Sequence, residues 1–292
     1  MTEDHEEFTV IVPCFNEEQA IRDTVVEIAE QLSICAACRL IVVNDGSKDR
    51  SLDLLVDLAK EIPTLEVVSH ERNLGYGAAL KTGIARAKTD LIVITDADGS
   101  YPIDQIPTLA RECADFDMVV GARTGPQVTH SKLRSIPKIF LALWVSWIAR
   151  QKVPDINSGM RVFRKPVLEC YVRILPNSFS FTTTLTLAML TNYRPVKFVP
   201  INYMARVGRS KIEPVRDTLR FASLILRTGM YFAPVRVLAP IVFALGLATL
   251  GSLLYDVWLG NLTDKSVILA MFTLNTGVFA LLADMIDKRS GR

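Results

Sequence analysis

From Val237 to Tyr255 the chain runs 19 residues without one charged side chain, and Ser266 to Ala283 adds 18 more between Lys265 and Asp284. As helices the two segments reach roughly 28 Å, the thickness of a bilayer's hydrocarbon core. Only two arrangements accommodate such a pair: a membrane-spanning hairpin, or a helical hairpin buried in a soluble domain. Gly246, Gly251, Asn275 and Gly277 dilute the apolar character, but the flanking charges favour spanning. Arg227 and Arg236 precede the first segment, Lys288, Arg289 and Arg292 follow the second, and the ten-residue link Asp256–Lys265 holds two acids and one base. By the positive-inside tendency both ends face the cytoplasm. The sequon Asn261-Leu262-Thr263 lies in that link, too close to the membrane to be read as a glycosylation site.

The first 125 residues are organised differently. Apolar runs at Phe8–Val12, Leu40–Val43, Leu65–Val68, Leu91–Ile94 and Met118–Val120 read as strands. Helical spacing fills Glu17–Leu32, the stretch through Leu52, Leu55, Val56 and Leu58, and Tyr76–Ala87. Nearly continuous apolar strands alternating with amphipathic helices predict an α/β domain whose mostly parallel sheet is covered on both faces. In such a sheet, ligands bind beyond the carboxyl ends of the strands.

Charge is balanced overall, 33 bases against 31 acids, but unevenly spread. Asp117 and Asp155 bracket a stretch without acids that contains Arg123, Lys132, Arg134, Lys138, Arg150 and Lys152. Seven bases against Glu213 and Asp217 lie between Arg206 and Arg236. Basic residues interleaved with Leu, Ile, Phe and Trp suit an anionic membrane surface better than a nucleic-acid groove. Ile136–Ile148 and Pro214–Arg227 read as core helices or as helices lying in the membrane interface. Cys35-x-x-Cys38 has no second pair to complete a zinc site and ends a helical run, so it is read as two small residues rather than a redox motif. The acidic opening Met1–Glu7 is not that of a signal or transit peptide, which places the bulk of the chain in a reducing cytosol.

The chemistry concentrates where strands end. Asp96-Ala97-Asp98 follows the strand Leu91–Ile94, and two carboxylates at that spacing can face one hard cation that bridges a diphosphate. Val12-Pro13-Cys14-Phe15-Asn16-Glu17-Glu18 ends the first strand and Val43-Asn44-Asp45-Gly46-Ser47 the second. A carboxylate there can accept from a nucleobase N–H or a ribose hydroxyl. Arg72-Asn73-Leu74-Gly75-Tyr76-Gly77 opens a helix, and its glycines permit close approach to a ligand. Gly121-Ala122-Arg123, Asn157-Ser158-Gly159-Met160-Arg161 and Arg206-Val207-Gly208-Arg209-Ser210-Lys211 add hydroxyls and cations from later loops.

Together these motifs resemble the family 2 glycosyltransferases with a GT-A fold, and within them the polyprenyl-phosphate hexosyltransferases. That subgroup includes dolichol-phosphate mannose synthase and the undecaprenyl-phosphate glucosyltransferases. The resemblance covers roughly residues 8 to 212 and implies a GT-A, Rossmann-like domain over 1–212, an amphipathic interfacial helix over 213–233, and two transmembrane helices with a cytoplasmic tail over 234–292. It implies that Pro13, Phe15, Glu17, Val43 and Asp45 hold the nucleoside, and that Asp96 and Asp98 hold the metal, Mg²⁺ or Mn²⁺, with Ala97 touching the nucleotide. Arg123, Ser158 and Arg161 would face an acceptor phosphate, while Arg206 and Lys211 close over the diphosphate. The implied partners are a nucleotide sugar, a polyprenyl phosphate and the membrane, with no nucleic acid; a homo-oligomer is allowed.

Three departures refine the expectation. Asn44 replaces the first Asp of the usual DDGS, and Ser100 stands where mannose synthases have a metal-binding Gln. Both favour a UDP-glucose-like donor, with GDP-mannose left open. Phe181-Thr182-Thr183-Thr184 stands where many relatives carry an acid near the acceptor. A sugar hydroxyl needs a general base, whereas a phosphate monoester is already mostly dianionic at neutral pH. The missing acid agrees with a lipid phosphate acceptor. The rivals are a family 2 enzyme acting on a sugar hydroxyl, whose Gln-x-x-Arg-Trp motif is not found here, and a non-catalytic membrane scaffold retaining the fold.

Overall fold

The computed structural model describes residues 7–33, 35, 37–126, 135–204 and 214–289, without the side chains of 135–141, 214–221 and 287–289. Seven strands form one sheet: β1 (Phe8–Cys14), β2 (Arg39–Asn44), β3 (Leu65–Ser69), β4 (Leu91–Ile94), β5 (Met118–Ala122), β6 (Arg161–Arg164) and β7 (Val196–Pro200). Their order is β3-β2-β1-β4-β6-β5-β7. All pairings are parallel except those of β6, which runs antiparallel between β4 and β5.

The helices are α1 (Ile21–Leu32), α2 (Ser51–Glu61), α3 (Tyr76–Arg86), α4 (Ile106–Glu112), α5 (Ser135–Ala149), α6 (Lys165–Val172), α7 (Phe181–Thr191), α8 (Pro214–Phe232), α9 (Pro234–Leu259) and α10 (Asp264–Arg289). Because side chains alternate along a strand, the apolar runs feed two cores. Val10, Val12, Leu40, Val42, Val93 and Val119 pack with Val25 and Ile28 of α1, Leu55 of α2 and Leu109 of α4. On the other face Ile11, Ile41, Val43, Ile92, Ile94 and Val120 pack with Leu80 and Ile84 of α3, Leu168 of α6 and Leu185 of α7. Each such fully buried side chain contributes about 1.5–3 kcal/mol.

A third cluster joins Val145 and Ile148 of α5, Leu187 and Leu190 of α7, Ile225 of α8 and Val237 of α9. The two segments expected to be either core or interfacial helices are therefore divided in use: one face packs inward, while Leu143, Trp147, Leu226 and Tyr231 stay exposed.

Helices α9 and α10 form an antiparallel hairpin, long and apolar enough to cross a membrane, with little of either buried in the protein. Outward-facing Phe243, Leu254, Trp258, Phe272 and Ile286 leave an apolar surface of the kind a bilayer covers, which favours membrane association over a hairpin buried in a soluble domain. Between the helices Thr249 and Thr273 hydroxyls meet at 2.9 Å, and Ser252 and Ser266 at 2.6 Å. Arg236 ties the hairpin's base to the sheet domain: its Nη1 donates to Ile148 O at 2.6 Å and its Nη2 to Tyr193 Oη at 2.9 Å, while Trp147 Nε1 donates to Arg236 O at 2.9 Å.

Cys35 and Cys38 are closer than the expectation of two unlinked small residues requires. The turn after α1 brings their Cα atoms to 5.4 Å, inside the range a disulfide requires, a pair that a reducing compartment keeps as two thiols.

Candidate active site

The carboxyl ends of β1, β2 and β4 open on one edge, and the loops leaving β1 and β2 are stitched to each other there. Asn16 takes a left-handed φ of 56°. Its backbone N–H donates to Ser47 Oγ at 3.0 Å, and its side-chain oxygen accepts from Lys48 N at 2.8 Å. Glu17 N donates to Ser51 Oγ at 2.9 Å, Glu18 N donates to Asp49 at 3.1 Å, and Glu18 in turn accepts from Arg50 N. Strand pairing sets Pro13 beside Val43, Asp45 N donates to Cys14 O at 2.8 Å, and Phe15 is partly exposed.

Asp45 is buried, and its carboxylate accepts from Leu74 N and Gly75 N, each at 2.9 Å, and from His70 Nδ1 at 2.7 Å. It thus anchors the start of α3 to the end of β2. Asn44 donates to Ser69 Oγ at 2.8 Å and accepts from Ser47 N at 3.3 Å, so the amide that replaces an acid joins β2 to β3. The glycines of the Arg72–Gly77 loop serve a different approach from the expected one. A Cβ on Gly75 would lie 2.3 Å from Asn177 O, and one on Gly77 would lie 2.2 Å from Pro176 O. The close neighbour is the segment 176–178 of the chain itself.

Asp96, Ala97 and Asp98 leave β4 at this edge, Asp96 half-buried and the other two buried. Asp98 Oδ1 accepts from both the backbone N–H, at 3.1 Å, and the hydroxyl of Ser100. Ser100 therefore holds Asp98, and its carbonyl accepts from Met204 N at 3.0 Å, which ties the segment after β7 to the Asp96–Asp98 turn. No cluster of three or more His, Cys, Asp or Glu suited to a metal occurs among the described residues. Two carboxylates on one turn are the hard oxygen donors that a divalent cation would take.

The remaining candidates separate into two groups. Arg123, at the end of β5, forks onto Asp155, with Nε 2.7 Å from Oδ2 and Nη2 3.0 Å from Oδ1, and its guanidinium lies 5.1 Å from the centroid of the Tyr203 ring. Burial alone would lower the Arg123 pKa, but the bonds to Asp155 outweigh it and raise it. Ser158 and Arg161 lie behind the site with no exposed surface. The Ser158 hydroxyl donates to Gly121 O. The Arg161 guanidinium donates to Ser158 O and Ile156 O, each at 2.7 Å, and to Thr186 Oγ1. Burial pushes its pKa down to about 10, so it remains cationic at neutral pH. Arg206 and Lys211 lie outside the described residues.

Sequence reasoning passed over Asp155, His70, Tyr76, Tyr101 and Tyr203. Asp155 had a visible signal, being the first acid after the long basic stretch. Tyr76 lay inside the Arg72–Gly77 motif, whose signal was in its glycines, and Tyr101 and Tyr203 had none, because a Tyr in a loop is as often packing as function.

A family model described as "Glycosyl transferase family 2" matches residues 9–172. An undecaprenyl-phosphate 4-deoxy-4-formamido-L-arabinose transferase of Pseudomonas fluorescens is 29% identical over 81% of this chain and 68% of its own. A dolichyl-phosphate beta-glucosyltransferase of Trichomonas vaginalis is 25% identical over 77% of this chain and 71% of its own. Among solved structures, glucosyl-3-phosphoglycerate synthase from Mycobacterium tuberculosis, in complex with Mn²⁺, UDP and glucosyl-3-phosphoglycerate, superposes with a TM-score of 0.58 at 17% identity, covering 76% of this chain and 80% of that one. That likeness establishes the GT-A-like fold of the sheet domain. The matched segment spans every loop of the β1, β2 and β4 edge and more than half of the sequence, and the chain belongs to glycosyltransferase family 2.

Proposed function

We propose that the protein transfers a hexose, with inversion, from a nucleotide diphosphate sugar to a polyprenyl phosphate at the cytoplasmic face of a membrane. One observation carries the reading: the Asp96–Asp98 turn and the two stitched loops at 13–17 and 43–47 share one sheet edge, in a chain that continues into an apolar hairpin. Two relatives named for transfer to undecaprenyl and dolichyl phosphate support the acceptor class. The basic residues flanking the hairpin support the cytoplasmic face.

In this reading Phe15 and Glu17 face the nucleoside, the buried Pro13, Val43 and Asp45 shape that end of the site from behind, and Ala97 lies against the nucleotide through its backbone. Asp96 and Asp98 hold Mg²⁺ or Mn²⁺, which when bound supplies charge to offset the departing diphosphate. Arg206 and Lys211 are assigned to that diphosphate by the family resemblance. Arg123 faces the acceptor phosphate through Nη1, the nitrogen its fork with Asp155 does not use. Ser158 and Arg161 position that neighbourhood from behind. A phosphate oxygen of the lipid attacks the anomeric carbon, and the bond from that carbon to the diphosphate breaks. The nucleoside diphosphate leaves with the electron pair, and an α-linked donor yields a β-linked lipid. The acceptor is already ionised, so no side chain takes up a proton.

The donor is assigned as UDP-glucose-like, on Asn44 and Ser100. The test is transfer by the detergent-solubilised full chain from UDP- and GDP-hexoses to a short polyprenyl phosphate, with the product's anomeric configuration read by NMR. A β-linked lipid-phosphate hexose from a UDP-sugar is expected. Product only with a sugar-hydroxyl acceptor, or nucleotide binding without turnover under any pairing, overturns the reading.

A further inference from the structure

The Asp96 carboxylate is flanked on two sides by residues outside the loops at 13–17 and 43–47. On one side stands Tyr76, the first residue of α3, whose hydroxyl donates to Asp96 Oδ1 at 3.0 Å. Gly75 makes that placement possible: with φ at 104° and no side chain, it turns the backbone into the helix while lying against Asn177. The Tyr76 ring is fixed by stacking on Phe179, with centroids 5.4 Å apart and planes 19° from parallel.

On the other side stands Gly159. A Cβ there would lie 2.6 Å from Asp96 Oδ2 and 2.7 Å from Oδ1, so only glycine allows the backbone this near to the carboxylate. The loop cannot retreat. Gly159 N donates to Tyr101 Oη at 2.6 Å, the Ser158 hydroxyl is bonded to Gly121 O, and Arg161 holds Ser158 O and Ile156 O from beneath.

We propose that Tyr76 and Gly159 form a clamp that fixes the position and rotation of the Asp96 carboxylate for cation binding, with Tyr76 a positioning residue acting through Asp96. The proposal rests on the reading of Asp96 and Asp98 as the cation's ligands. A carboxylate ordered in advance loses little freedom when the cation arrives, and outer partners of ligating groups commonly carry about 10–100-fold in metal affinity. The clamp also joins two distant parts of the chain at one ligand, since Tyr76 enters from α3 and Gly159 from the segment before β6.

The experiment uses the full chain in detergent with saturating UDP and reads free Mn²⁺ by electron paramagnetic resonance, separately from UDP binding in a chelator. Tyr76→Phe keeps the ring and its stack on Phe179 but removes the donor; it should weaken Mn²⁺ binding about tenfold while UDP binding in the chelator stays as in wild type. Gly159→Ala should weaken Mn²⁺ at least as much, by pushing the carboxylate aside. Wild-type Mn²⁺ affinity in Tyr76→Phe overturns the clamp, and so does a fall in melting temperature with no change in Mn²⁺ binding. Asp98→Asn separates the two levels of the argument. If it too binds Mn²⁺ normally, the cation reading of the turn fails. If it loses Mn²⁺ while Tyr76→Phe does not, the clamp alone fails.

Discussion

Arg123 and Asp155 form a closed three-bond unit: the guanidinium makes two parallel bonds to the carboxylate, and Arg123 N adds a third to Oδ2 at 3.1 Å. Asp155 also accepts from Asn157 N at 3.0 Å, so it fastens the end of β5 to the loop that leads to Gly159. A basic residue met in sequence as an acceptor ligand is thus also a bolt between two segments of the site. Its planar fork, matched to a carboxylate, is the reason it is Arg and not Lys.

Asp155→Asn should cost about 2–4 kcal/mol, because a largely buried guanidinium loses its counter-charge. The cost should depend on pH. Burial alone would raise the Asp155 pKa, but the bonds from Arg123 outweigh it and leave it below its ordinary value. A depressed carboxyl contributes stability above its unfolded pKa of about 3.9 and loses it as pH falls through the folded value. Denaturant melts at pH 7 and at progressively lower pH should therefore show the difference between wild type and Asp155→Asn shrinking below about pH 4. A constant difference would mean that the pair contributes no charge-dependent stability.

Arg161 separates structural from acceptor roles. Its guanidinium satisfies two carbonyls and a hydroxyl with no exposed surface, and a Lys ammonium cannot reach all three at once. Arg161→Lys should lower the melting temperature by about 4–8 °C, the equivalent of roughly 2 kcal/mol. The KM for lipid phosphate should stay as it was. Normal stability with a strongly raised lipid KM would instead mean that Arg161 reaches the acceptor.

How much of this was legible beforehand follows from how each element is buried. The strands β1, β2 and β4 declared themselves because both faces are covered, which leaves uninterrupted apolar runs. Helix α7 gave no periodic signal because all of Phe181–Thr191 is buried, between the sheet on one side and α5 and α8 on the other. Strand β6 is only Arg161–Arg164, and its antiparallel insertion is set by the tertiary pairing of Val162 with Val93 and Val119 rather than by any local preference. The loops at 13–17 and 43–47 and the Asp96–Asp98 turn were visible as strand-end motifs. The support behind them was not, since the bonds of Asp45 to Leu74 and Gly75, and of Tyr76 to Asp96, link residues about twenty to thirty positions apart.

The hairpin predicts a clear behaviour on truncation. Ending the chain before Pro234 removes the apolar surface of α9 and α10, so the remainder should no longer require detergent to stay dispersed. Leu143, Trp147 and Tyr231 remain exposed on it, near basic segments, and membrane binding should persist in a salt-sensitive form. Flotation with anionic vesicles at low and high salt distinguishes the cases. A full-length chain that is monodisperse without detergent would refute the spanning reading.

The last prediction concerns the acceptor's ionisation. If the nucleophile is a phosphate dianion, the transfer rate should rise through one ionisation, near about pH 6, and then hold level toward alkaline pH, because no enzyme base has to be deprotonated and no acid preserved. Nη1 of Arg123, close to that phosphate, would lower its second pKa in the complex and bring the onset of the plateau to lower pH. Arg123→Ala should then move the onset upward and reduce transfer to lipid phosphate far more than donor hydrolysis, since water makes no use of the contact. Arg123→Lys retains the charge but not the fork on Asp155, so it should recover part of the transfer rate while melting below wild type. Both activities, measured across pH in the three proteins, decide the matter. A bell-shaped transfer profile would require a general base that the phosphate mechanism does not use, and equal losses of transfer and hydrolysis in Arg123→Ala would move Arg123 to the donor side of the reaction.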